Sequence, residues 1–355
     1  MFALAFALQN LIWGIAQPFT GFVADRIGVR GTVAAGGLCF AGGIGLMAYT
    51  SDPTVFAWVG GGLIGLALAA TSFGVLIGPV ASLVPPERRS AAFGLLGAGG
   101  SLGQLFYPPF AQVALSREGW FPSLIALAAI GVAIVPLALM LREPDRTARG
   151  TGQSIGAALR EAAVVPSYGM LSAGFFVCGF HIAFFQTHLP KIVATAGLDA
   201  SIGAWALSIV GAFNVIGSYG SGWLSDRVPK RYVLSGIYGL RFVAIALFAF
   251  TPITTFSVIA FSAAMGLLWL STVAPTTGII AGKFGTQWVS TLFGIAFFVH
   301  QVGAFFGAWL GGVLLDRTGS YTSMWIVLLA VAAFGFIIQF PIDERPLVRV
   351  PAPAT

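Results

Sequence analysis

The stretch Gly21-Phe-Val-Ala-Asp25-Arg26-Ile-Gly28-Val-Arg30-Gly31 decides how this chain is read. It stands where a long apolar run ends. Gly21 lies on the last turn of that run, Asp25 and Arg26 stand at its edge, and Gly28 and Arg30 complete a tight basic turn. A related copy, Gly222-Trp-Leu-Ser-Asp226-Arg227-Val-Pro229-Lys230-Arg231, follows 201 residues later, again at the end of an apolar run. One such turn is an ordinary stop signal. Two, each opening the same hydropathy pattern, point to a duplicated membrane protein.

Composition around these turns agrees. Only 8% of residues are charged, against about 25% in soluble domains. Apolar residues make up 57% and the mean hydropathy is +0.91, so a soluble fold could not hide this surface. The expected class is an all-α polytopic membrane protein. Its partners are then the lipid bilayer and a small-molecule substrate. The net charge of +6 is assigned to asymmetric basic loops, not to nucleic acid. Cys39 and Cys178 both fall inside apolar runs, with no disulfide framework and no metal-ligand spacing, and no cofactor is expected. The opening residues lack a basic leader and read as a span.

Eleven apolar runs are long enough to cross a bilayer as helices: 2–24, 31–49, 56–82, 91–114, 120–141, 167–194, 202–224, 232–250, 256–280, 289–314 and 322–340. They lack the alternation of a lipid-facing barrel. Alternate loops and the C-terminal tail hold Arg26, Arg30, Arg88, Arg89, Arg142, Arg146, Arg149, Arg160, Arg227, Lys230, Arg231, Lys283, Arg345 and Arg349. The opposite face holds Arg117, Lys191 and Arg317. By the positive-inside rule the first face, with the C-terminus, is cytoplasmic.

The chain divides at 142–166, where 142–153 reads as a Gly/Ser/Thr-rich linker and 154–164 as a short interfacial helix with Arg160 and Glu161 toward water. The halves match across it. At an offset of 200, Phe93-Gly94 falls on Phe293-Gly294, Gly103 on Gly303 and Gly78 on Gly278; at 201, Gly21, Asp25 and Gly65 fall on Gly222, Asp226 and Gly266. The second half carries a whole span, 167–194, before its turn, whereas the first half starts with the span leading into it. One helix, about 35 residues with its connection, is therefore expected ahead of the first. Small-residue ladders such as Gly303-x-x-x-Gly307-x-x-x-Gly311 and Gly99-x-x-x-Gly103 are expected at helix contacts. Pro108-Pro109, mid-span, is expected to kink its helix.

These residues resemble the major facilitator superfamily. Gly21, Asp25, Arg26, Gly28 and Arg30 fit that family's first basic turn, and Gly222, Asp226, Arg227 and Arg231 its second, with Pro229 in place of the glycine. Gly99-Gly-Ser-Leu-Gly103-Gln104, Pro108-Pro109, Gly119-Trp120 and Gly311-Gly-Val-Leu-Leu-Asp316 look like the bacterial monocarboxylate-porter and oxalate/formate-antiporter branch. The resemblance implies a two-bundle fold with eleven of twelve spans present. That gives an N-terminal bundle over 1–141, a cytoplasmic loop over 142–166, a six-helix bundle over 167–340 and a tail over 341–355. It also implies a monomeric, multi-pass carrier of the bacterial inner membrane, which is not an enzyme. The branch usually carries an arginine where this chain has Ser218, with Asn214 four residues earlier.

The spans themselves hold no Asp or Glu in their interiors, and Arg241 is the one Arg or Lys near the middle of a run. A cation there is costly and attracts either a carboxylate substrate or a structural partner. His181, His188 and His300 are the other titratable groups in or near spans. They read as packing residues or as proton relays, with protons as the candidate coupling ion. The expected cavity set is Arg241, Tyr107, Gln104, His181, Asn214, Trp269, His300 and Gln301, with Thr272 and Thr276 beside them. The expected gating set is Asp25, Arg26, Arg30, Asp226, Arg227 and Arg231, either as conformational contacts or as plain topology anchors. The functional expectation is alternating-access transport of a small organic solute, a monocarboxylate or other small organic anion, by proton symport or anion exchange. The alternatives are an exporter of hydrophobic compounds and a membrane-embedded enzyme or receptor. No convergent acid, base or metal set supports the enzyme reading.

Overall fold

Apolar runs of this length leave the backbone one way to satisfy its amides in lipid, as helices. The computed structural model describes residues 2–143 and 153–347. Arg146, Arg149 and Arg349, counted among the basic loops, lie outside the described residues, as do the rest of 144–152 and 348–355.

The first half contains α1 (Phe2–Arg26), α2 (Val29–Tyr49), α3 (Pro53–Trp58), α4 (Ile64–Thr71), α5 (Phe73–Leu83), α6 (Arg89–Glu118), α7 (Trp120–Val132) and α8 (Ile134–Leu139). A π-helical turn, Val59–Leu63, joins α3 to α4 through three consecutive glycines. After the short α9 (Ile155–Val164) come α10 (Pro166–Thr195), α11 (Ala200–Ser225), α12 (Lys230–Phe250), α13 (Thr255–Leu268), α14 (Val273–Phe284), α15 (Val289–Thr318) and α16 (Thr322–Gln339). Ser154 caps α9, accepting from the Ala157 amide, and Arg160 is exposed as the amphipathic reading requires. Asp199 caps α11 through the Ser201 amide, and the Ser201 side chain first, then this amide, hold its carboxyl below the usual range.

The expected count of eleven spans is not reproduced. Among the described residues nine helical segments are long and apolar enough to cross a membrane, and α1 and α6 are not among them. In α6 the sequence Gly99-Gly-Ser-Leu-Gly103-Gln104 dilutes the apolar character, although the segment stays helical from Arg89 to Glu118 and through Pro108-Pro109.

Packing follows the small residues. α10 lies along α15 and also touches α16, while α1 crosses to α15 and α6 crosses to α11. A Cβ added at Gly303 or Gly307 would stand 2.1 Å from the Phe176 or Phe180 carbonyl oxygen, so only glycine lets α15 approach the α10 backbone this closely. The contacts between halves use the same device. A Cβ at Gly21 would lie 2.6 Å from Ser290 O, at Gly222 2.3 Å from Ser90 O, and at Gly94 2.5 Å from Ser218 O. The ladder of α6 behaves differently. Gly99, Gly100 and Gly103 face open space, although Gly103 is the repeat mate of the tightly packed Gly303.

Candidate functional site

Two features stand out: a clasp between the halves at the end of the molecule where the basic turns lie, and a break in a helix beside Arg241.

The clasp is built from the two aspartates. Asp25, at the end of α1, accepts from the Thr291 amide at 2.8 Å and the Thr291 hydroxyl at 2.8 Å, in the first turn of α15. Asp226, just past α11, accepts from the Ser90 and Ala91 amides at 3.0 and 2.9 Å, in the first turn of α6. Each half thus places a carboxylate on the N-terminus of a helix from the other half. There the free N–H groups and the positive end of the helix dipole favour it. Gly78 and Gly278 leave the necessary room: a Cβ would lie 2.9 Å from Ser290 Oγ at the first and 2.8 Å from Ser90 Oγ at the second. The turn arginines stack back on their own helices, Arg26 over Phe22 at 5.7 Å and Arg227 over Trp223 at 3.9 Å.

Arg30 and Arg231 bind the ends of their own halves. The Arg30 amide donates to Glu143 Oε1 at 2.9 Å and its Nε to Leu141 O at 2.5 Å. The Arg231 amide donates to Glu344 Oε1 at 2.8 Å and its Nη1 to Ile342 O at 3.3 Å. Glu143 and Glu344 are absent from the sequence-based gating set, although they too are separated by 201 residues.

The break lies between α13 and α14. There the helix ladder lapses at Trp269–Thr272 and its orphan groups find side chains. Arg241 Nη2 donates to Leu268 O at 2.5 Å and Trp269 O at 2.6 Å, capping the end of α13. Asn214 Oδ1 accepts from the Leu270 amide at 3.0 Å, while its Nδ2 donates to Ser101 Oγ of α6 at 2.8 Å. Cys178 Sγ sits 3.4 Å from Arg241 Nη2 and accepts from Thr272 Oγ1 at 3.2 Å. Arg241 is fully buried, and its Nε and Nη1 have no hydrogen-bond partner among the described residues. A mid-membrane arginine costs roughly 2.5–3.5 kcal/mol on insertion scales, so these carbonyl contacts offset part of a real penalty.

The first half has a matching break. α4 ends and α5 begins at Ser72, which stands 200 residues before Thr272. Ser72 Oγ donates to Gln17 Oε1 at 2.9 Å, and Trp13 Nε1 donates to the same oxygen at 2.9 Å. Gln17 is buried and its Nε2 has no partner among the described residues. Sequence reasoning missed Gln17, though its offset of 201 to Ser218 marks it as a repeat mate of the position already singled out.

The other expected cavity residues are distributed unevenly. Trp269 lies in the break itself, and Thr272 beside it. His300 stacks on Phe297 at 5.3 Å, faces Phe175 at 4.8 Å, and shares a 3.0 Å hydrogen bond with Gln301 Oε1. Gln301 reaches Asn10 O of α1 at 3.2 Å. His181 instead bonds Leu328 O of α16 at 3.1 Å, and His188 bonds Tyr321 Oη and Ala308 O at 2.9 and 3.0 Å. Gln104 and Tyr107 stand on the exposed side of α6.

Paired helix breaks at corresponding positions of two repeats are a feature of membrane transporters built from internal repeats. The chain belongs to the Major Facilitator Superfamily, whose family model matches residues 1–308. It is 25% identical over 353 residues to the MFS-type transporter YcxA of Bacillus subtilis, covering 96% of this chain and 85% of the relative. It is 24% identical to the oxalate:formate antiporter of Oxalobacter formigenes, covering 98% and 84%, and 26% identical to monocarboxylate transporter 13 of Bos taurus, covering 92% and 76%. Among solved structures it resembles the Escherichia coli fucose:proton symporter FucP with a TM-score of 0.75 at 18% identity, covering 95% of this chain and 90% of that one.

Proposed function

We propose that this transporter carries a small monocarboxylate or related small organic anion by alternating access, in proton symport or anion exchange. The observation that carries the reading is Arg241. Its guanidinium is buried at the α13–α14 break, two of its nitrogens have no hydrogen-bond partner among the described residues, and the spans around it contain no carboxylate in their interiors. A substrate carboxylate supplies the missing acceptor geometry, because guanidinium and carboxylate match as planar, two-pronged partners. The names of the oxalate:formate and monocarboxylate relatives agree with this chemistry. Asn214, Trp269, His300 and Gln301 complete the proposed site around the break.

In the same reading the Asp25 and Asp226 caps hold the basic end shut, and their release opens it toward the cytoplasm. The test is uptake of a labelled monocarboxylate by proteoliposomes, comparing the wild-type chain with Arg241→Lys. Loss of carboxylate flux with an intact fold supports the reading; unchanged flux removes Arg241 from the site.

A further inference from the structure

A groove of about 370 Å³ runs between α11 and α12, with α13 as its floor. Its walls are apolar: Gly217, Gly220 and Leu224 on one side, Tyr232 and Gly236 on the other, and Leu268 beneath. Gly220 and Gly236 keep it open, since a Cβ at either would meet nothing within 4 Å. The groove belongs neither to the clasp nor to the break, yet it touches both. Leu224 lies two residues before Asp226, and Leu268 supplies a carbonyl that holds Arg241.

Two arginines neighbour its lining residues Leu224 and Tyr232 toward the basic end. Arg227 is exposed and stacked on Trp223, while Arg231 lies 4.8 Å over the Tyr232 ring and donates to its hydroxyl at 3.2 Å. The nearby acids are already engaged. Asp226 accepts from Ser90 and Ala91, and Glu344 accepts from the Arg231 backbone amide. Among the described residues neither guanidinium has a carboxylate within 4.0 Å.

We propose that this groove binds one anionic phospholipid, with its phosphate at Arg227 and Arg231 and one acyl chain against Gly220, Gly236 and Leu268. The chain in the groove buttresses the end of α13, so the bound lipid steadies the break from the membrane side. Charge complementarity at these arginines selects the anionic class, because a planar guanidinium gives phosphate two parallel donors. The volume falls within the range of small-molecule sites.

Native mass spectrometry on the purified full chain tests this directly, with dioleoylphosphatidylglycerol and dioleoylphosphatidylcholine as probes. The expected result is retention of one phosphatidylglycerol with about tenfold preference over phosphatidylcholine. Gly220→Leu and Gly236→Leu, made separately, should each remove that retention, and Arg227→Gln should remove the headgroup preference. Hydrogen exchange at 267–272 should slow with phosphatidylglycerol in the wild type and not in the leucine variants. Equal retention of the two lipids overturns the proposal. So does phosphatidylglycerol binding that survives both leucine variants, which marks it as surface charge attraction alone. Retention of hydrophobic solutes with no phospholipid also overturns it, and makes the groove a lateral solute entry.

Discussion

Asp25 places one carboxylate oxygen against a single residue of the opposite half, 2.8 Å from both the amide and the hydroxyl of Thr291. Asp226 repeats the device in reverse on Ser90 and Ala91. The two caps follow the internal repeat, so the halves are joined at this end by repeat-related contacts. Removing a side-chain cap costs about 1 kcal/mol in a helix, and a charge-assisted bond roughly 1.5–3 kcal/mol.

Asp25→Ala and Asp226→Ala should therefore each shift the population toward the state open at this end by about 5- to 30-fold. Spin labels at the exposed positions Glu87 and Val228, read by electron–electron double resonance, should show a longer distance in both variants. An unchanged distance in both assigns the turns to topology alone.

The glycine contacts predict an asymmetry between the repeats. Gly303→Ala must push α15 off the Phe176 carbonyl and should destabilise by about 1–3 kcal/mol, the usual cost of overpacking. Gly103→Ala meets open space in this chain and should be neutral or slightly stabilising through helix propensity. Thermal unfolding in one detergent distinguishes them; equal losses would contradict the packing described.

Asn214 joins three elements by accepting from the Leu270 amide and donating to Ser101. Asn214→Leu leaves a buried amide unpaired, at roughly 1–3 kcal/mol. Asn214→Asp keeps the acceptor and loses the donor. The leucine variant should melt at the lower temperature and show faster hydrogen exchange at 269–272. Equal exchange in the two variants would remove Asn214 as a support of the break.

The C-terminal segment is docked by Lys283, whose Nζ donates to Asp343 O and Arg345 O and lies 3.7 Å from Asp343 Oδ2. The Arg345 amide first, then its side chain, hold the Asp343 carboxyl below the usual range. A depressed folded value means the contribution is present above the unfolded value of about 3.9 and lost as pH falls through the folded one. Hydrogen-exchange protection factors at 341–347, referred to the intrinsic rate at each pH, should thus fall below about pH 4 in the wild type. Asp343→Asn should exchange quickly at pH 7 as well.

Hydropathy made the helical class legible, because 20-residue apolar runs admit little else, and the Asp25 and Asp226 turns exposed the duplication. The partners of those aspartates were not legible. Thr291 lies 266 residues from Asp25, and a helix N-terminus in a span carries no sequence mark beyond its own apolar start. The breaks were equally hidden, since Ser72 and Thr272 are ordinary residues in apolar context. Cys178 reads in sequence as one more buried small side chain, yet it stands against Arg241. Gln17, Glu143 and Glu344 were within reach: extending the 201-residue offset to every polar residue pairs Glu143 with Glu344 and Gln17 with Ser218.

Arg241 is proposed to meet a substrate carboxylate at the α13–α14 break. The most direct measurement is proteoliposome uptake of a labelled small monocarboxylate, in competition with its uncharged amide analogue, by wild type, Arg241→Lys and Arg241→Ala. All three proteins should be matched for unfolding temperature beforehand. The acid should outcompete the amide by at least about tenfold in the wild type, Arg241→Lys should lose most of this preference, and Arg241→Ala should abolish carboxylate flux. Equal uptake of the acid by folded wild type and Arg241→Ala, with the same indifference to the amide, would contradict it.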